Sequence, residues 1–190
     1  MAGFVLAGGR SRRMGRDKAL LSCGQTTLLE HALGVLRTVC DDVAIAGSRD
    51  DLSSFAPVIA DEFADSGPLS GMHAALKQSQ YAWNLFLAVD LPLIEPAHAN
   101  MLLEYPRTPN TLAVTAEADG RLQPLFGVYH WKLAGPIEQA LQAGERAVIP
   151  MLESISAPDG LLRVEFPAST LLNVNTPGEL ALIVTAPTCK

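Results

Sequence analysis

Gly8-Gly9 stands directly ahead of Arg10, Arg12, Arg13, Arg16 and Lys18, five basic side chains within nine positions of a chain whose net charge is −6. Glycine tolerates positive φ and lets the backbone approach a ligand closely. Successive main-chain N–H groups in such a turn form a nest for an anion. Arg13 and Lys18 would bring full positive charge to the same place, Arg as a bidentate fork and Lys as a point charge. A triphosphate carries enough negative charge to need both kinds of donor. The two common phosphate loops are absent: the stretch contains neither GxxxxGK[ST] nor GxGxxG.

This cluster is local within an acidic chain, and the overall charge disfavours a general nucleic-acid binder, whose affinity rests on broad positive surface. Apolar residues make up 48% and charged residues 18% of 190 residues, which is globular composition. That length suits one core, and residues 1–190 are expected to form a single domain. Cys23, Cys40 and Cys189 are odd in number and lack CxxC spacing, which argues against a disulfide framework or a cysteine-based zinc site. Cys40 is expected in or near the core. No stretch reaches the roughly 20 apolar residues of a membrane span, and no secretory signal is visible, so a cytoplasmic protein without membrane contact is expected.

Short apolar runs alternate with helical patterns. Phe4–Ala7, Val43–Ala46, Pro57–Ala60 and Trp83–Val89 read as buried strands. Leu28, Leu29, Ala32, Leu33, Leu36, Val39 and Cys40 share one helical face, with Thr26 or Thr27 as N-cap and Glu30 as a first-turn acid. Further helices are predicted over 69–78, from Pro96 to about Tyr105, and over 132–142 and 147–154. A last helix should start after Thr176. Leu112–Ala116 and Leu125–Tyr129 read as strands about an Ala118-Asp119-Gly120 turn, followed by strands Leu161–Phe166 and Thr170–Val174. The pattern predicts an α/β fold, a three-layer αβα sandwich around a mostly parallel, Rossmann-like sheet. Ligands of such sheets lie beyond the carboxyl ends of the strands. Gly8, Gly9, Gly47, Ser48, Asp61 and Asp90 follow the runs and should therefore converge on one edge.

Leu6-Ala7-Gly8-Gly9-Arg10-Ser11-Arg12-Arg13-Met14-Gly15-Arg16-Asp17-Lys18 resembles the LAGGxSxRMGxDK loop of the molybdenum cofactor guanylyltransferase family. Asp61 with Gly67-Pro68-Leu69-Ser70-Gly71-Met72, Val89-Asp90-Leu91-Pro92, and Asn173-Val174-Asn175-Thr176-Pro177 agree in the same order. The opening motif is shared in looser forms by many sugar-nucleotide and cofactor nucleotidyltransferases. The resemblance implies the nucleotide-diphospho-sugar transferase-like version of the sandwich. It also implies GMP transfer from GTP to the terminal phosphate of molybdopterin, with loss of pyrophosphate.

By the same resemblance the N-terminal half binds nucleotide and the C-terminal half binds acceptor. Arg13, Lys18 and Asp90 are the expected catalytic residues. Leu6, Ala7, Gly8, Gly9, Lys18, Asp61, Pro68, Gly71 and Asp90 are expected at the nucleotide, and Asp90 at Mg²⁺. Asn173, Asn175 and Gln123 are expected at the acceptor; Asn173 and Asn175 alternate about Val174, so in a strand both would face one way. Where the family has a nucleotide-contacting Asn after the second strand, this chain has Ala46, with Ser48 nearby. Transient contacts with proteins that deliver or accept the cofactor also follow. A phosphate monoester is largely dianionic at pH 7, its second pKa being about 6, and needs no general base. His31, His73, His98 and His130 accordingly read as structural or solvent-facing. Three alternatives are a cytidylyltransferase for the same acceptor, a sugar-phosphate nucleotidyltransferase, and a nucleotide sensor without catalysis. Gly9 and Asp17 favour guanine over cytosine, since relatives using CTP tend to read LAAG.

Overall fold

The computed structural model describes residues 1–7, 17–155, 159–174 and 178–179. Its elements follow in order as β1 (Ala2–Leu6), β2 (Ser22–Cys23), β3 (Thr26–Thr27), α1 (Leu28–Val39), β4 (Asp42–Ala46), β5 (Val58–Ile59), α2 (Gly67–Gln78), β6 (Trp83–Ala88), α3 (Pro96–Leu103), β7 (Ala113–Ala118), β8 (Arg121–His130), α4 (Ala134–Gln142), α5 (Val148–Ser154) and β9 (Leu161–Glu165). Seven strands form one sheet in the order β5-β4-β1-β6-β8-β7-β9, and β2 pairs with β3 in a small separate ribbon. β5, β4, β1 and β6 are mutually parallel. β8 runs antiparallel to both β6 and β7, and β7 is parallel to β9. The sheet is thus the mostly parallel one expected, with β8 alone reversed.

Helices cover both faces, which is why the strands read as continuous apolar runs. Side chains alternate between faces along β1. Val5 packs with Leu29, Leu33 and Leu36 of α1 and with Ala99 and Leu102 of α3. Phe4 and Leu6 pack with Leu69 and Met72 of α2, Ile137 of α4 and Met151 of α5. Thr27 caps α1: its hydroxyl accepts from Glu30 N at 3.2 Å while the Glu30 carboxylate accepts from Thr27 N at 2.8 Å. This reciprocal box also holds the Glu30 carboxyl below its usual range, the Thr27 main-chain N–H being the largest cause. Cys40 is half-buried, and burial pushes its thiol up to about 11.

Asp119 (φ 50°) and Gly120 (φ 70°) both take the left-handed conformation, so β7 and β8 join through a two-residue hairpin turn. One expectation fails: Thr170–Val174 is not a strand. Thr170 N donates to Pro167 O and Leu171 N to Ala168 O, at 2.9 and 3.2 Å, so the chain folds into turns instead. Among the described residues the sheet ends at β9, and residues 170–174 add no strand beyond it. The predicted start of the last helix, Thr176 and Pro177, lies outside the described residues, as does Cys189.

Candidate active site

The register aligns the strand ends. Leu6 of β1 pairs with Ala46 of β4 and Ala88 of β6, and Ala46 pairs with Ile59 of β5. Gly47, Ser48, Asp61 and Asp90, four of the six residues expected to converge, therefore emerge along one edge of the sheet, where Ala7 also lies. Asp61 N donates to Ser48 Oγ at 3.1 Å, joining two of these loops. Gly8, Gly9, Arg13 and the other arginines of the opening cluster lie outside the described residues.

Lys18 opens a short 3₁₀ turn, Lys18–Leu20, capped by the Asp17 carboxylate, which accepts from Ala19 N at 3.0 Å. From that turn Lys18 Nζ donates to Asp90 Oδ2 at 2.8 Å. The two side chains are 16% and 24% exposed, so the pair is partly withdrawn from water yet reachable by a ligand. Asp90 retains a second carboxylate oxygen. A hard oxygen donor at the ligand edge, beside a phosphate-seeking ammonium, is the chemistry Mg²⁺ takes, because that ion is held by one or two carboxylates with phosphate oxygens and water completing its shell.

Arg49 is the residue that motif reading missed. It is buried, and its guanidinium forks between three acceptors. Nε and Nη2 donate to the Asp51 carboxylate at 2.9 and 2.8 Å. Nη1 donates to the Ala7 carbonyl at 3.3 Å, and Nη2 donates to the Asp17 carboxylate. Ala7 and Asp17 are the residues on either side of the 8–16 stretch. Arg49 thus ties Ala7 and Asp17, the residues that flank the basic stretch, to the strand end after β4. The two carboxylates, Asp51 foremost, push its pKa above the usual guanidinium range and keep it charged. The signal available was Arg49-Asp50-Asp51 directly after Gly47-Ser48 at a strand end.

Leu6 and Ala7 are buried, so a nucleotide could meet only their main chain. Pro68 lies in the first turn of α2. Gly71, one turn on, faces the strand ends: a Cβ there would stand 3.4 Å from Asp61 Oδ1 and from Leu6 Cδ2, in ordinary contact with both. Asp61 Oδ1 is buried and has no hydrogen-bond partner among the described residues. Burial accordingly pushes its carboxyl above the usual range, against the opposing hydrogen bond that the Ser48 main chain gives the carboxylate. An orphaned acceptor at a ligand edge is what the N–H groups of a base, or ribose hydroxyls, would satisfy.

That shift has a stability consequence. The folded chain holds the Asp61 proton at pH values where the unfolded chain has already lost it, so stability falls as pH rises from about 4 through the folded pKa. Asp61→Asn is expected to remove this loss, raising the melting temperature of the ligand-free protein at neutral pH while weakening nucleotide binding. Melting curves from pH 4 to 8 with and without nucleotide check it. Equal melting temperatures for both proteins at all pH values would contradict it.

On the other half of the edge, Gln123 Nε2 donates to Asn173 Oδ1 at 3.1 Å. Both line a cleft of about 550 Å³ together with Asp119, Arg121 and Ala168. The two expected acceptor residues that the structure describes are therefore neighbours, although Asn173 reaches this place from an irregular segment rather than a strand. Val174 N donates to Asp90 O at 2.9 Å, which fastens that segment to the Asp90 turn. Asn175 lies outside the described residues. Among the histidines, His31 Nε2 bonds the Ile94 carbonyl, His98 Nδ1 accepts from Glu95 N, and His130 Nδ1 accepts from Lys132 N. These three serve local structure.

Residues 3–155 match the MobA-like NTP transferase domain. The chain is 36% identical over 184 residues to a probable molybdenum cofactor guanylyltransferase of Pelotomaculum thermopropionicum, covering 94% of this chain and 89% of that one. The fold superposes on the molybdopterin-guanine dinucleotide biosynthesis protein A of Archaeoglobus fulgidus with a TM-score of 0.73 at 25% identity, covering 97% of each chain. It superposes on 2-C-methyl-D-erythritol 4-phosphate cytidylyltransferase of Thermus thermophilus with a TM-score of 0.69 at 17% identity over 96% of each, a likeness of fold alone.

Proposed function

This chain belongs to the MobA-like NTP transferase family and is a nucleotidyltransferase, and on that premise we propose that it transfers GMP from GTP to the terminal phosphate of molybdopterin. An oxygen of the acceptor phosphate forms the new bond to the α-phosphorus of GTP. The bond from that phosphorus to the β-phosphate bridging oxygen breaks, and pyrophosphate leaves with the electron pair. The product is the guanine dinucleotide form of the cofactor.

The acceptor phosphate arrives largely dianionic, so the protein's contribution is position and charge rather than a general base. Gly8, Gly9 and Arg13 hold the phosphates from the opening loop, whose stems Arg49 fixes. Lys18 neutralises charge on the transferred phosphoryl group. Asp90 would hold Mg²⁺, which when bound would screen the triphosphate and polarise the phosphoryl oxygens. Asp61 accepts from the guanine N–H groups or the ribose. Pro68 and Gly71, in the first turns of α2 beside Asp61, border the place of the base, and Leu6 and Ala7 contribute main chain. Gln123, Asn173 and Asn175 offer amides to the pterin, which is rich in donors and acceptors. Proteins that deliver or take up the cofactor would meet the chain at this same open edge.

The observation that best supports this reading is the Lys18–Asp90 pair, with the Gln123–Asn173 cleft tied to it through Val174 N and Asp90 O. The test is pyrophosphate release from GTP or CTP with Mg²⁺ and molybdopterin. GTP should be the better donor by specificity constant; CTP outcompeting GTP would overturn the guanine assignment. Asn173→Ala is expected to raise the KM for the acceptor by about tenfold, the worth of one good polar contact, while the KM for GTP stays unchanged. An equal rise in both would remove Asn173 from the acceptor side.

A further inference from the structure

We propose that Glu62, His73 and Glu138 form a binding site for a divalent transition-metal ion of the zinc class, built from residues other than those of the Asp90 edge. His73 lies within α2 and has no exposed surface. Neither of its ring nitrogens has a hydrogen-bond partner among the described residues. Buried polar atoms are nearly always satisfied, so a doubly orphaned imidazole needs an explanation. Two carboxylates supply one. Glu62 comes from the loop after β5 and Glu138 from α4, and a ligand atom from each of the three residues lies within 4.8 Å of the others.

The donor set selects the ion. One imidazole nitrogen with two carboxylates suits zinc and its neighbours, whereas Mg²⁺ and Ca²⁺ take oxygen throughout. Metal bonds of about 2.0–2.2 Å place ligand atoms closer together than the 4.8 Å limit within which these three lie. Glu62 is exposed and Glu138 partly so, and both can turn inward, while His73 is fixed by burial and by the Phe63 ring packed edge-on at 5.4 Å. Lys77 Nζ currently bonds Glu62 Oε2 at 2.7 Å. That pair is solvent-exposed on both sides, and such pairs contribute little, so a dication can displace or share it.

A metal here would clip the loop after β5 to α2 and α4. Phe63 N already donates to Ser70 Oγ at 3.3 Å on the same path. Glu62 directly follows Asp61, so occupancy would stiffen the loop that carries Asp61 to the strand edge. The proposal does not depend on the identity of the transferred nucleotide or the acceptor.

The test uses the full chain stripped of metal by a chelator and titrated with Zn²⁺ against a chromophoric competitor. Binding of one zinc per chain is expected, weakened by about tenfold or more in Glu138→Gln and unchanged in Asp90→Asn. Glu138 is only partly buried, so that variant should fold, which circular dichroism verifies. His73→Leu should abolish the rise in melting temperature that Zn²⁺ gives the wild type. Co²⁺ substitution should produce a visible spectrum without a thiolate charge-transfer band. Equal zinc affinity in wild type and Glu138→Gln, no zinc binding at all, or a thiolate band would each overturn the proposal.

Discussion

Asp90→Asn is expected to lower kcat by about 10³-fold, the range seen when a preorganised charge at a reacting phosphoryl or acyl group is removed. The substitution keeps side-chain size and leaves the main-chain bond from Val174 N to Asp90 O untouched, so the acceptor wall stays in place. What changes is charge. Lys18 loses its anionic partner, held at 2.8 Å, and the proposed Mg²⁺ would lose its carboxylate. Two effects on binding then diverge. Affinity for GTP in the presence of Mg²⁺ should fall, because the proposed carboxylate ligand for the ion would be gone. Affinity for GTP without Mg²⁺ should hold or rise, because a negative charge facing the triphosphate is gone. Calorimetry with and without Mg²⁺, set beside steady-state rates, separates the two. A variant turning over within a fewfold of wild type would remove Asp90 from the reaction.

Arg49→Met should be the most destabilising single change at the site. The guanidinium side chain is 4% exposed and answers Asp17, Asp51 and the Ala7 carbonyl together. Removing it takes the guanidinium from two carboxylates, but Asp17 keeps its bond from Ala19 N and Asp51 is 46% exposed and recovers water, which moderates the cost. A loss of about 2–3 kcal/mol is expected, lower than the full penalty for breaking a wholly buried pair. For a chain of this size that lowers the melting temperature by roughly 5–10 °C. Arg49→Lys should rescue little, since a single ammonium cannot span three acceptors. A second readout distinguishes loop positioning from mere stability. Well below the melting temperature, the KM for nucleotide should rise in Arg49→Met while the KM for the acceptor does not. A lower melting temperature with both constants unchanged would reduce Arg49 to a structural role.

Much of the frame can be read from residue order. Buried parallel strands need apolar side chains on both faces, so β1, β4 and β6 stand out as unbroken runs, and the residues that follow them mark the ligand edge. Thr27 with Glu30 announces the start of α1 because the cap is chemistry between neighbours. The failures come from contacts between distant residues. Leu171, Leu172 and Val174 have strand-like composition, but turns after Pro167 and the bond from Val174 N to Asp90 O set their path. The start of β8 was hidden by Pro124, which has no N–H to give a ladder. The pairing jumps from Thr115–Gly127 to Ala116–Gln123, so a bulge carries Pro124 past β7 and the strand resumes at Gln123. Arg49 reads alone as a solvated surface charge; only the fold places it between Ala7 and Asp17. Likewise His73 shows nothing of Glu62 or Glu138 until α2 and α4 pack together.

The most direct measurement is a crystal structure of the protein with GTP and Mg²⁺. The triphosphate should lie against the stretch from Ala7 to Lys18, with Lys18 Nζ on a phosphate oxygen, the ion on the Asp90 carboxylate and the base beside Asp61 and Gly71. Nucleotide bound instead in the cleft of about 320 Å³ at the opposite end of the sheet, lined by Asp42 and Tyr81, with Lys18 and Asp90 uninvolved, would contradict it.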